Sequence, residues 1–260
     1  MARKKTRASR AGRGAVPAGR RANGPGRRPP RSLVAPAPAE ISDAERLRAR
    51  EVLRRLRKEY PRARVMLDHR DPWELLVATI LAAQCTDARV NMVTPELFRR
   101  YPAPAKMAAA PLATLEKLVR STGFFRNKAK ALKGSAAAIV ERHGGAVPRT
   151  MEEMLALPGV ARKTANVVLM DGYGLTTGVV VDTHNLRLTG LLRFVREKDP
   201  AAVERFWMAA LDRKDWNLLG HLLYDHGQRV CVARRPDHGA CVLKDICPSA
   251  MSDGGRAGEG

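Results

Sequence analysis

From Ile41 onward the chain is punctuated by helix start and stop signals and offers almost nothing that could found a sheet. Ser42 with Glu45 spells a capping box, with Ile41 placed as its hydrophobic staple, and predicts a helix running toward Glu59. Asp71-Pro72-Trp73-Glu74 combines a cap acid, a proline in the first turn and a glutamate at the third position. The next stretch, Leu75 to Gln84, is apolar nearly all round, which marks a buried helix. Thr94-Pro95 predicts a further start. A helix from about Arg126 to His143 stops at Gly144-Gly145. Thr150 with Glu153 is another capping box, and Asp199-Pro200 opens a late helix toward Trp207. Only Gly178-Val179-Val180-Val181 reads as extended, and it is too short to found a sheet. No repeat period is present. The expected fold is all-α.

Charge narrows the partner. The chain carries 47 Lys and Arg against 26 Asp and Glu, a formal +21, of which residues 1–40 supply +10 through eleven cations and the single acid Glu40. The remainder is also basic, so a polyanion is the expected partner, with nucleic acid foremost. Residues 1–40 hold six prolines and five glycines. Such a segment buries too little apolar surface to offset its ordering entropy, and it reads as a disordered tether or inert tail. An organellar leader is the competing reading, opposed by the proline and glycine density. A hydrophobic fraction of 45% allows a real core. No apolar run approaches the ~18 residues of a membrane span, and no signal-peptide core precedes the fold. A cytoplasmic, nucleoid-associated protein is expected, or an organellar or nuclear one in a eukaryote. Three of the four cysteines fall between positions 231 and 247, which reads as metal ligation rather than a secreted disulfide framework.

One segment carries more information than the rest. Thr150 to Leu157 reads as a short helix, Pro158 stops it, Gly159-Val160 turns the chain, and Ala161 to Met170 reads as a second helix. A turn this tight presents backbone N–H groups and the positive end of a helix dipole, a setting that suits phosphate. Arg162 and Lys163 stand in the first turn of that second helix, where positive charge is locally unfavourable.

The string Leu157-Pro158-Gly159-Val160-Ala161-Arg162-Lys163-Thr164-Ala165, followed by Val181-Asp182-Thr183-His184, resembles the helix–hairpin–helix DNA glycosylases, and within them the endonuclease III family. Glu74-Leu75-Leu76, Ala83-Gln84-Cys85-Thr86-Asp87 and the 121–129 segment extend the resemblance, which covers about Ala44 to Cys247. Ala161 departs from the pattern, since the family usually has a second glycine there. The resemblance implies two all-α domains with a DNA cleft between them. One is a six-helix unit over 65–175 that holds the hairpin, and the other combines 41–64 with 176–250. Residues 251–260 are expected to be a flexible end.

It also implies a chemistry. Lys163 would be the nucleophile, its neutral amine attacking C1′ of the damaged nucleotide, expelling the base and forming a Schiff base before β-elimination cuts the strand. A free lysine with a pKa near ~10.4 is protonated at neutral pH, so the helix end, Arg162 and desolvation are expected to lower it. Asp182 falls where an N-cap belongs; as an ionised carboxylate it would stabilise cationic character at C1′. The bland readings are a phosphate contact for Lys163 and a plain cap for Asp182. A base inside the stack is out of reach and must be flipped out. By resemblance Gln84 fills the gap and the Gly123-Phe124-Phe125 loop supplies a wedge, with Arg126-Asn127-Lys128 beside phosphates. Phe125 reads equally well as core. Asp87, Gly159, Ala161, Arg162 and His184 complete the expected DNA-binding set, and Cys85 reads as a buried small hydrophobe.

Cys231, His238, Cys241 and Cys247 have the spacing of the family's iron–sulfur loop, with histidine where the second cysteine is usual. The resemblance implies a [4Fe–4S] cluster; ligand chemistry alone also allows zinc. Such a loop would turn Arg229, Arg234, Arg235 and Lys244 toward phosphates. The expected protein is a monomeric base-excision DNA glycosylase and abasic-site lyase that removes oxidised pyrimidines from duplex DNA. The rival is a non-catalytic DNA-binding or redox-sensing protein on the same scaffold, kept in view by Ala161 and His238. Lysine at 163 argues against the adenine–mismatch branch, which lacks it.

Overall fold

The computed structural model describes residues 40–196 and 198–254. The tail reading for 1–40 and the last six residues therefore lie outside the described residues, Glu40 excepted. Twelve α-helices and no strand are present among the described residues. The first, α1 (Asp43–Glu59), starts where the capping box predicts: the Glu45 amide donates to Ser42 Oγ, and the Ser42 amide donates back to the Glu45 carboxylate. The second, α2 (Pro72–Ala82), begins on Asp71, whose carboxylate accepts from the Glu74 amide at 2.9 Å; every residue from Trp73 to Leu81 is buried.

Thr94-Pro95 is not a start. Asp87–Arg100 is one helix, α3, with Pro95 inside it and Thr86 as its cap. Val90, Thr94, Leu97 and Phe98 are all buried and lie on one helical stripe. Burying that stripe outweighs the roughly 3 kcal/mol that an interior proline costs. Two short helices, α4 (Pro104–Ala109) and α5 (Leu112–Leu118), and a 3₁₀ turn over Arg120–Thr122 lead into α6 (Phe125–His143). Gly144 closes α6 in the left-handed region at φ 58°, and the Gly145 amide reaches back to the Ile139 carbonyl at 3.0 Å.

The hairpin helices are α7 (Met151–Leu155) and α8 (Arg162–Val167), the latter continuing through a π turn over Val168–Gly172. The remaining helices are α9 (Thr183–Leu191), α10 (Pro200–Ala210), α11 (Trp216–Arg229) and α12 (Pro248–Gly254), with a 3₁₀ turn at Arg213–Asp215. The expected flexible end is shortened by α12, which carries the helix through Gly254. Its first turn is tied down: Ser249 donates to the Leu191 carbonyl at 2.7 Å and Ala250 is buried.

Buried apolar side chains form two clusters. The first runs from Leu67 to Val180 and includes α2 and α6; the second joins Ala49, Val52, Leu53 and Leu56 of α1 and its cap Tyr60 to residues between Val179 and Leu243. The extended Gly178–Val181 segment is the crossover. Val179 packs into the second cluster and its neighbour Val180 into the first, as the two-residue alternation of extended chain dictates. That explains a valine run without a strand.

Candidate functional site

The hairpin is seated on α6. Ser135, fully buried, donates from Oγ to the Pro158 carbonyl at 2.6 Å. Gly159 adopts φ +77°, and a Cβ there would stand 2.5 Å from the Ala131 methyl, so both backbone conformation and space require glycine. Ala161 is the N-cap of α8 at φ −99°, ψ 169°, exposed and in extended backbone that any L residue adopts. The methyl that breaks the family pattern therefore carries no backbone strain.

Lys163 is exposed in the first turn of α8. Arg162 behaves differently from its expected phosphate-facing role. Its guanidinium makes two bonds to buried Glu204 of α10, at 2.8 and 3.1 Å, and Asn166 approaches the same carboxylate at 3.4 Å. Thr177 in turn donates to Asn166 at 2.9 Å, and a Cβ on Gly178 would lie 2.0 Å from Glu204. A buried carboxylate without a partner is costly, so Arg162 is committed to it. The cation beside Lys163 joins the two apolar clusters instead of pointing outward.

Asp182 is the N-cap of α9, accepting from the Asn185 amide at 2.8 Å. Asn185 is itself buried and donates to the Val180 carbonyl, which fixes the crossover just before the acid. Two helices away, Tyr224 of α11 donates to Asp87 at the start of α3 at 3.0 Å. Burial, then the charge of Asp87 and, more weakly, that of Asp182, push the Tyr224 hydroxyl well above its usual range. Tyr224 thus stays a donor and bridges a residue of the first half to the second. The His184 ring meets Tyr224 edge-on at 5.3 Å and leaves Gly227 no room for a side chain. Its Nδ1 is buried without a partner. His184 is half-buried between Tyr224 and Gly227.

The expected insertion residues are exposed. Gln84 and Phe124 have φ +55° and +46°, and Phe124 is 64% accessible. Phe125 packs on the first cluster under Arg126, whose guanidinium lies 5.3 Å from the ring centre. Lys128 departs from the expectation: it is 5% exposed and faces inward, away from any phosphate.

At the metal loop Cys241 is buried and Cys231 and Cys247 are half-buried. Burial pushes the Cys231 and Cys241 thiols up; Arg187, 3.6 Å from Cys231 Sγ, works against it. Buried thiols held neutral without a metal fit a site whose thiolates form on ligation. Cys241 Sγ also lies 3.4 Å from Nε2 of His226, a buried ring whose Nδ1 is 2.9 Å from the Tyr60 hydroxyl. Burial pushes His226 down to about 4, so it is neutral. His238 is half-buried, and its carbonyl accepts from the Cys241 amide at 3.4 Å. Among the described residues no three ligating side chains are gathered as one ion requires. A multi-iron cluster, with one protein ligand per iron, tolerates that wider spacing.

Residues 77–212 match the family of HhH-GPD superfamily base excision DNA repair proteins, and 231–247 match the iron–sulfur binding domain of endonuclease III. An endonuclease III from Synechocystis sp. is 50% identical over 80% of this chain and 95% of its own length. The chain belongs to the endonuclease III family. The Escherichia coli K12 endonuclease III is 34% identical over 80% of this chain and 96% of its own. A solved endonuclease III in a trapped covalent DNA intermediate superposes with a TM-score of 0.77 at 37% identity, over 82% of this chain and 99% of that one. The family's two matched segments contain the hairpin and the metal loop, so this is an iron–sulfur base-excision repair protein. Glu204 and Tyr224 do not stand out in the sequence, and Lys128 does so only as a cation expected beside phosphates.

Proposed function

We propose that this protein is a bifunctional DNA glycosylase and abasic-site lyase acting, as a monomer, on oxidised pyrimidines in duplex DNA. The observation that carries the reading is an exposed lysine in the first turn after the glycine hairpin, together with a carboxylate fixed as a helix cap at Asp182. The Lys163 amine forms a bond to C1′ as the glycosidic bond breaks; the base leaves with that bond's electron pair and takes up the proton that the attacking amine sheds. The nitrogen lone pair then forms the Schiff base as the C1′–O4′ bond opens and O4′ takes up a proton; removal of a C2′ proton expels the 3′ phosphate. With Arg162 neutralised by Glu204, the positive end of α8 sets the field on the amine. Asp182, held by the Asn185 amide, faces the positive charge that develops at C1′. Gly159 and Ala161 offer backbone to a phosphate; Gln84 and Phe124 fill the space left by the flipped nucleotide, and Asp87 with Tyr224 lines the seam between two lobes built on the two apolar clusters.

Cys231, His238, Cys241 and Cys247 would hold a [4Fe–4S] cluster, with zinc the other occupant allowed by the ligands. When bound, the cluster supplies covalent cross-links between the loop and the end of α11. Iron and sulfide analysis with a visible spectrum reports its identity; stoichiometric zinc without iron overturns it. Borohydride reduction on an abasic duplex should trap wild type covalently, and Lys163→Ala should give no adduct. A wild type that gives no adduct, yet binds the duplex, would return the reading to a non-catalytic DNA-binding protein.

A further inference from the structure

Lys128 is a buried cation that the proposed chemistry does not use. It stands in the first turn of α6, 5% exposed, and its Nζ donates to two main-chain carbonyls: Leu81 at 2.7 Å and Thr122 at 2.6 Å. No carboxylate is among its hydrogen-bond partners, and burial lowers its pKa from the ordinary lysine range. An ammonium withdrawn from water onto neutral oxygens is unfavourable unless those oxygens need it. These two do. Leu81 is in the last turn of α2, where carbonyls have no amide four residues on, and Thr122 ends the 3₁₀ turn. A positive charge there also meets the negative end of the α2 dipole.

Each of these carbonyls lies just upstream of a residue assigned to enter the duplex. Three residues after Leu81 comes Gln84, and two residues after Thr122 comes Phe124. Both are non-glycine residues in the left-handed region, at φ +55° and +46°, and both are exposed. Only four non-glycine residues have positive φ among the described residues, and one ammonium is bonded to the main chain a few residues before two of them. Lys128 holds the second loop twice, since its own amide donates to the Phe124 carbonyl at 3.1 Å. Gly123 precedes Phe124 at φ +71°, so two consecutive left-handed residues depend on what anchors them at each side.

We propose that Lys128 is a positioning residue for base extrusion: by tying the end of α2 to the Thr122 turn it fixes the separation at which Gln84 and Phe124 enter the duplex. It touches neither DNA nor the reacting atoms. The inference rests on the glycosylase reading, and it predicts a selective defect. A step that needs insertion should suffer, and a step that needs only Lys163 should not.

The test compares two substrates in the full-length, metal-loaded protein. One is a duplex with thymine glycol opposite adenine and 2-aminopurine beside the lesion; the other is a single-stranded abasic oligonucleotide with borohydride. Lys128→Met keeps length and apolar stem and removes the donors. Excision from the duplex should fall about tenfold or more, with loss of the 2-aminopurine unstacking signal. Adduct formation on the single strand should stay within about twofold of wild type. Lys128→Arg keeps the charge but places a planar fork between carbonyls spaced for one nitrogen, and it should show the same selective loss. That variant decides the matter if Lys128→Met does not melt cooperatively. Wild-type excision and unstacking in both variants would overturn the proposal, as would equal losses on the two substrates. A wild type with no adduct on either substrate overturns the glycosylase reading and this inference with it, whereas unselective variants beside an active wild type overturn the inference alone.

Discussion

Single residues in this molecule are held by reasons that can be separated. Gly159 is fixed twice, by φ +77° and by the Ala131 methyl 2.5 Å from where its own would be. Gly159→Ala should therefore destabilise by about 1–3 kcal/mol in urea unfolding. Ala131→Gly in the same chain should recover the steric part and leave the backbone part. Full recovery would mean that space alone selects glycine. Residue types at the hairpin were legible because a tight turn between two helices admits few choices. The partner of Arg162 was not. Nothing near Arg162 in the sequence points to Glu204, 42 positions on, because the pair forms across two helices and only the packing brings them together. Ala161 shows the converse: a departure from the pattern that raised doubt in sequence proves to sit in ordinary extended backbone.

Among elements, the starts read better than the interiors. Ser42, Asp71, Thr150 and Asp199 all cap helices as their local chemistry dictates, because a cap is decided within four residues. Thr94-Pro95 misleads for a reason of scale: the buried stripe of α3 is a property of fourteen residues and overrides a two-residue signal. The π turn in Val168–Gly172 likewise has no local signature; it follows α8 into the seam, where Asp171 meets His221 of α11 at 2.9 Å. The contact of α8 with α10 should behave as one unit. Glu204→Ala leaves Arg162 and Asn166 facing a buried gap and should cost about 3–5 kcal/mol. Double replacement of Arg162 and Glu204 by methionine and leucine should cost less than that single change. Urea denaturation of the three variants reads both, and additive costs would mean the pair is not coupled.

At the scale of the whole molecule, the formal +21 divides between a 40-residue segment and the folded remainder. If the first segment acts through counterion release alone, removing residues 1–40 should flatten the salt dependence of duplex binding and leave the borohydride adduct in place. Loss of the adduct would show that the segment serves the chemistry. The overall plan was legible from sequence as an all-helical fold around a hairpin, because helix signals recur over most of the length. The arrangement of the two apolar clusters was expected only through resemblance, since no local signal says that α1 belongs with helices near the other end.

That arrangement has an outcome for how the protein is made. The first cluster is drawn from one unbroken stretch ending at Val180, so a chain leaving the ribosome can finish it early. The second needs α1, the first of the described helices to be synthesised, and α10 and α11, synthesised near the end. For most of translation α1 is therefore an amphipathic helix whose apolar side, Val52, Leu53 and Leu56, has nothing to cover it. The earliest of these helices is among the last to find its place, and until then its exposure to proteases and holding chaperones is set by the speed of elongation.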